Sequence, residues 1–174
     1  MNWPKIWPMP ERPPRVVVVN TTPVIALALI SRLDHLQQLY DEVVMPPAVQ
    51  NEVFAGRPAG IGSAELQEAT WLRVIPLQDP RRADLLADLD RGEAEVIALA
   101  QELDADLVII DERLARLHAR RLGLRLTGTL GVLLKAKERG IVSSVAPLID
   151  QLRQGGIRLS NGLVAEVLRL ADEM

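Results

Sequence analysis

Val16 to Val19 form an unbroken β-branched run with no polar alternation, which is how a strand covered on both faces reads; a strand with one wet face would alternate. Thr22-Pro23 follows almost at once, offering an N-cap hydroxyl and a residue pre-set for the first helical turn ahead of VIALALISRL. A central strand, a tight turn and a helix are therefore expected in immediate succession. The pattern recurs at Val43 to Met45, where Pro46-Pro47 opens a helix through Phe54 and Gly56 offers its stop. It recurs again at Leu107 to Ile110, with the helix ERLARLHARRL starting directly after Asp111 and closed by Gly123. Weaker signals place a short helix near Ser63 to Thr70, a strand around Arg73 to Ile75 and helical residues from Arg81. Asp90 and Glu93 have capping-box spacing ahead of AEVIALAQEL. Leu124 to Thr127 reads as a short strand, with Thr127 or Thr129 capping LGVLLKAKER, and two more helices are expected at Val145 to Gln154 and Leu163 to Asp172. Short buried strands alternating with helices imply βαβ units with right-handed crossovers. The expected class is α/β: three layers, with a mostly parallel sheet of about four to five strands and helices on both faces.

At 174 residues and 48% hydrophobic, the chain suits one ordinary domain with a substantial core. Aromatic residues make up only 3%, so aliphatic side chains must pack that core. With no cysteine, disulfides and thiolate-ligated zinc are excluded, and a cytoplasmic location is the expectation. Residues 1–15, MNWPKIWPMPERPPR, carry five prolines and no continuous apolar stretch. They read as a disordered extension rather than a signal peptide or membrane anchor, leaving 16–174 as the domain. A formal charge of -3 argues against strong nonspecific nucleic-acid binding, so any such contact must be local.

In a parallel sheet the functional crevice lies beyond the carboxyl ends of the strands, a rule that picks out Asn20 and Asp111. Turn and cap chemistry also favours short polar residues there, so placement alone leaves both readings open. Glu52 stands out because it occupies a position in the apolar stripe of its helix, beside Ala48, Val49 and Val53. On the following acidic helix, Glu93 falls between Val96, Ile97 and Ala100, whereas Glu95 falls beside Glu102 on the wetter side. Periodicity favours Glu93, with Glu95 retained as a second candidate. Glu112 reads as a first-turn helix acid. Carboxylates from separate segments meeting at one sheet edge would repel, and a cation removes that repulsion. Oxygen ligands suit a hard ion, Mg²⁺ or Mn²⁺, whose chemistry with water points to phosphodiester hydrolysis. Arg113, Arg116, His118, Arg120, Arg121 and Arg125 cluster after Asp111. Arg113 and Arg116 are the nearest candidates for phosphate contact, against the plainer reading of a solvated helix face; His118 reads as a surface residue.

Taken in order, VVVVNTTPVIALA, VVMPPAVQNEV, DRGEAEVIALAQELDADLVIIDER and LGLRLTGTLGVLLKAK resemble the PIN-domain superfamily, and within it a VapC-like, toxin-like branch described as nucleic-acid-binding. The resemblance covers about residues 16 to 170. It implies a PIN-like fold, an endoribonuclease holding Mg²⁺ or Mn²⁺ with catalytic acids, and single-stranded RNA as substrate. It also implies a place as the toxin of a toxin-antitoxin pair, with a small antitoxin partner and self-association. Three of the four acid positions of the family fall on Glu52, Glu93 and Asp111. At the first, Asn20 stands where an aspartate is usual; an amide oxygen can ligate or hold a water but brings no charge. Thr21 and Thr22 can add hydroxyls near the ion, although capping is the simpler use of Thr22. The alternative class is a PIN-fold binding module that no longer cleaves. The apolar residues Leu163, Val167, Leu168 and Leu170 suggest a partner surface on the last helix, with core packing the commoner use of such a stripe.

Overall fold

A computed structural model describes residues 16–56 and 60–174; the proline-rich 1–15 and part of the glycine-containing loop after Gly56 lie outside the described residues. The first half of the chain runs β1 (Val16–Val19), α1 (Thr21–Leu29), α2 (His35–Leu39), β2 (Glu42–Met45), α3 (Pro47–Ala55), α4 (Ser63–Glu68), β3 (Arg73–Val74) and α5 (Arg81–Asp84). The second half runs α6 (Arg91–Glu102), β4 (Leu107–Ile109), α7 (Arg113–Arg121), β5 (Leu126–Thr127), α8 (Thr129–Glu138), α9 (Ala146–Gln154) and α10 (Asn161–Leu170).

All strand pairs are parallel, in the order β3-β2-β1-β4-β5. Val18 lies opposite Val44 on one side and Val108 on the other. Strand β1 is thus central, and Val17, Val18 and Val19 are fully buried, as its unbroken β-branched run requires. From β1 the chain steps outward to β2 and β3, then returns across the sheet to β4 and β5. With right-handed crossovers, that reversal sends the two sets of connecting helices to opposite faces. Helix α6 accordingly packs on β1, β4 and α7, while α8 packs on α1, α2 and α10. The result is the three-layer α/β/α arrangement expected. Among the described residues no helix is long and apolar enough to cross a membrane.

The point of reversal, between β1 and β4, is where a doubly wound sheet opens a crevice at its carboxyl edge. Asn20 N–H donates to Ile109 O at 3.0 Å, so the ends of these two strands, and whatever follows each, are held side by side.

Several local expectations shift by one or two residues. Helix α1 begins at Thr21 with Asn20 in the N-cap position and no side-chain cap bond. Thr22 therefore does not cap; its hydroxyl donates to Glu112 instead. Glu112 is itself the N-cap residue of α7 rather than a first-turn acid. Neither Thr127 nor Thr129 caps α8, whose N-cap is Gly128. The capping box at Asp90 is present: Glu93 N–H donates to Asp90 Oδ1 at 2.8 Å, and Asp90 N–H to Glu93 Oε2 at 3.2 Å. On the last helix Val164, Val167 and Ala171 are buried in the core, and Leu163 stays half exposed. Of the four residues singled out on this helix, Val167 is buried in the core, Leu168 packs against it half-buried, and Leu170 is intermediate in burial.

The C-terminal segment is held by one carboxylate. Glu173 accepts from Lys137 Nζ (2.7 Å), Ser144 Oγ (2.6 Å), Val145 N (2.7 Å) and Ala146 N (2.8 Å), closing the start of α9 from outside. Burial opposes its charge, but these bonds outweigh it and hold the carboxyl down to about 2 from 4.5. A folded-state value below the unfolded one stabilises above the unfolded pKa, and the contribution is lost as the group is protonated in the fold. Glu173→Ala is expected to cost about 2 to 3 kcal/mol at neutral pH. The gap from wild type should close as pH falls from about 4.5 to about 2, measured by denaturant unfolding across that range.

Candidate functional site

Acids from α3 (Glu52), α6 (Glu93) and the β4–α7 junction (Asp111 and Glu112) surround the switch point together with the amide of Asn20 after β1. Asn20 leaves β1 only 2% exposed, and its Nδ2 donates to Glu112 Oε2 at 3.1 Å. Because a carboxylate can only accept, this bond fixes which end of the amide is nitrogen. The opposite atom, Oδ1, is buried without a hydrogen-bond partner among the described residues. An unsatisfied buried acceptor costs about 1–3 kcal/mol, so its persistence asks for a ligand. Thr22 Oγ1 donates to the other Glu112 oxygen, and Thr21 Oγ1 to Glu52.

Glu52 projects from α3 onto the first turn of α6, where Gly92 N–H donates to Oε1 at 3.0 Å. A Cβ on Gly92 would stand 2.5 Å from both Glu52 oxygens; the absent side chain is what lets the carboxylate reach the helix end. Asp111 is seated in the same way on the other side. It accepts from Thr129 N at 2.8 Å and Thr129 Oγ1 at 2.6 Å at the start of α8, and a Cβ on Gly128 would lie 2.4 Å from its Oδ1. Each carboxylate rests on the positive end of a helix, which partly offsets the repulsion of bringing them together.

The offset is incomplete. Glu93 is 8% exposed, and its carboxyl is pushed above the usual carboxylate range by burial, then by the charge of Asp90 and, further off, of Glu112 and Glu52. Asp111 keeps a solvent-facing edge, yet the protein packed round its carboxyl raises it too; the Thr129 bonds and Arg116 pull the other way, and Glu112 adds to the rise. We take the exposed edge as the way in for solvent or ligand and the crowding as the cause of the shift. Perturbation by burial and like charge at one crevice is a mark of functional sites.

The structure gives Glu95 different partners: it accepts from Ala48 N at 3.3 Å and Arg91 Nε at 2.7 Å, closing the open start of α3. Arg116 donates to Ile110 O at 2.8 Å and is half buried, its guanidinium committed to the end of β4. Arg113 is exposed on the first turn of α7. His118 is tied to Asp88 at 2.9 Å. Periodicity did not find Glu112, Gly92, Gly128 or Thr129. Glu112 was discoverable in principle, since two consecutive acids after a buried strand leave room for the second to cap and reach back.

The donor set is all oxygen, two carboxylates are seated on helix ends, and Asn20 Oδ1 lacks a partner, a combination that fits a hard divalent cation better than a soft one. As the side chains stand, no three or more of the described acidic and histidine residues converge closely enough to share one ion. A cation would have to draw the glutamates in. A family model described as a PIN domain matches residues 16–173. No match to a curated protein was found.

Proposed function

We propose that this chain, which belongs to the PIN-domain family, is a divalent-cation-dependent endoribonuclease. Glu52 and Asp111 are its ion-holding carboxylates, Asn20 lends an amide oxygen, and Glu93 faces the ion across its bound water. PIN domains have a nuclease-type fold and generally use divalent metals. The observation that carries the reading is the buried Asn20 Oδ1, unpartnered among the described residues, at the switch point of the sheet, with Glu52 and Asp111 seated on helix ends around it and Glu93 and Asp111 both raised above their ordinary values. When bound, Mg²⁺ or Mn²⁺ supplies an acidified water and neutralises charge developing on the phosphodiester.

The chain's own groups do the rest. Gly92 and Thr129 present N–H groups that hold the Glu52 and Asp111 carboxylates in place. Glu93 Oε2 is spent on the capping box, leaving Oε1 to take the proton of the attacking water. Its raised pKa brings it nearer the range that general-base work needs. Arg113, exposed beside the crevice, is the group for an RNA phosphate; Arg116 stiffens the strand end that carries Asp111. A toxin role, with a small antitoxin, self-association and a cytoplasmic setting, is supported by the resemblance to VapC-like sequences. Half-exposed Leu163 offers a contact point for either partner.

Asn20 favours a second reading, a PIN-fold module that binds RNA or a partner without cutting. Purified protein is expected to cleave single-stranded RNA in Mn²⁺ and to stop in EDTA. If the wild type is inert and Asn20→Asp cleaves, the site is a weakened nuclease. If both are inert while RNA is retained, the module reading stands and the nuclease reading fails.

A further inference from the structure

Asn20 and Glu112 lie 92 positions apart in the chain and meet at 3.1 Å. Glu112 spends one oxygen on the Asn20 amide and the other on the Thr22 hydroxyl, so a long, flexible side chain is fixed at both oxygens by the segment that follows β1. We propose that Glu112 supplies the negative charge that position 20 lacks, anchoring Asn20 by its amide nitrogen so that Oδ1 is left as a neutral ligand for the cation. This rests on the proposed cation site and adds a residue to it.

Three observations support the pairing. First, the amide's nitrogen end is committed to Glu112, so the unpartnered atom is the oxygen, and it is buried at the edge where the acids meet. An amide held this way is a preformed oxygen donor. Second, Glu112 follows Asp111 directly at the start of α7 and reaches back to Asn20 and Thr22 after β1, so its carboxylate links the ends of the two strands that flank the crevice. Third, an aspartate at position 20 would put two carboxylates where an amide and a carboxylate now hydrogen-bond, an arrangement in which both cannot comfortably ionise. Asparagine at 20 and glutamate at 112 therefore work as a pair, with the charge moved from the end of β1 to the N-cap of α7.

The test is calorimetric titration of Mn²⁺ into metal-free wild type, Glu112→Gln, and the double variant Asn20→Asp with Glu112→Gln. In Glu112→Gln the amide of Asn20 can still donate to the glutamine carbonyl, so the local bond survives and only the charge is lost. In the double variant charge returns at position 20 and the glutamine amide can donate to it. Thermal unfolding without metal checks that both variants fold. Glu112→Gln is expected to weaken Mn²⁺ binding roughly ten- to a hundredfold, and the double variant to recover most of that loss. Wild-type affinity in Glu112→Gln, or a double variant as weak as the single, would overturn the inference and leave the proposed site intact. A wild type that takes up no Mn²⁺ would overturn both.

Discussion

Replacing Gly92 with alanine is expected to lower Mn²⁺-dependent RNA cleavage about a hundredfold while leaving thermal stability unchanged or slightly raised. The position lies in the first turn of α6, where alanine is intrinsically the better residue by up to about 1 kcal/mol. The obstacle to a side chain is not backbone. An added Cβ would meet Glu52 Oε1 and Oε2, each at 2.5 Å, and these are the far end of a flexible side chain that can swing aside. The fold gives way easily, and what moves is a carboxylate that the chemistry needs in place. A displacement of about 1 Å at a reacting centre is enough for a hundredfold loss. Melting curves and cleavage rates measured on the same preparation check this. If stability and activity fell together, Gly92 would be a packing position only.

Glu93→Gln should move the two properties in opposite directions even more clearly. Glutamine keeps the size of the side chain and can still accept from Asp90 N–H, so the capping box survives. What disappears is a charge that burial and then Asp90, Glu112 and Glu52 all disfavour. We expect the metal-free protein to gain roughly 1 kcal/mol at neutral pH, the usual direction when a strained functional group is neutralised. Cleavage should fall by about two to three orders of magnitude as the general base is lost. The sign of the pH dependence follows from the raised folded-state pKa. A carboxyl whose pKa is higher in the fold favours folding while protonated, and that advantage is lost as pH rises above the ordinary value of 4.5 and through the raised one. The variant's advantage should therefore be present at neutral pH and vanish below about 4.5. Urea unfolding at several pH values reads it directly; a variant less stable than wild type at neutral pH would show that the Glu93 charge is already compensated without metal.

The strands that fix the architecture were readable because their burial leaves a mark in composition. Val16–Val19 and Leu107–Ile109 are covered on both faces, and only unbroken apolar runs survive there. Strand β3 was legible only as a weak signal; its two residues are exposed at the edge of the sheet, where little selects their side chains. Glu52, Glu93 and Asp111 could be singled out because each breaks or ends an apolar pattern. Thr21 and Thr22 could be named only as hydroxyls near the site, and Glu112 and Thr129 were read as a helix acid and a cap, because their partners are remote in sequence and their roles depend on where a helix starts. Moving the start of α1 from Pro23 to Thr21, and the N-cap position from Thr22 to Asn20, turns a supposed cap into a hydroxyl that holds Glu112. Gly92 and Gly128 were invisible for a related reason: nothing near them in the chain says that a carboxylate from another element will lie where their side chains would be.

The most direct measurement is cleavage of a single-stranded RNA in Mn²⁺ by wild type and by Asp111→Asn, side by side. Asparagine keeps the size of the side chain and an acceptor for Thr129 N–H, and the Thr129 hydroxyl can turn to accept from its amide, so the start of α8 should stay closed. The account predicts EDTA-sensitive cleavage by wild type and a loss of about a thousandfold or more in the variant. Full activity in Asp111→Asn, or wild-type cleavage that persists undiminished in EDTA, would contradict it.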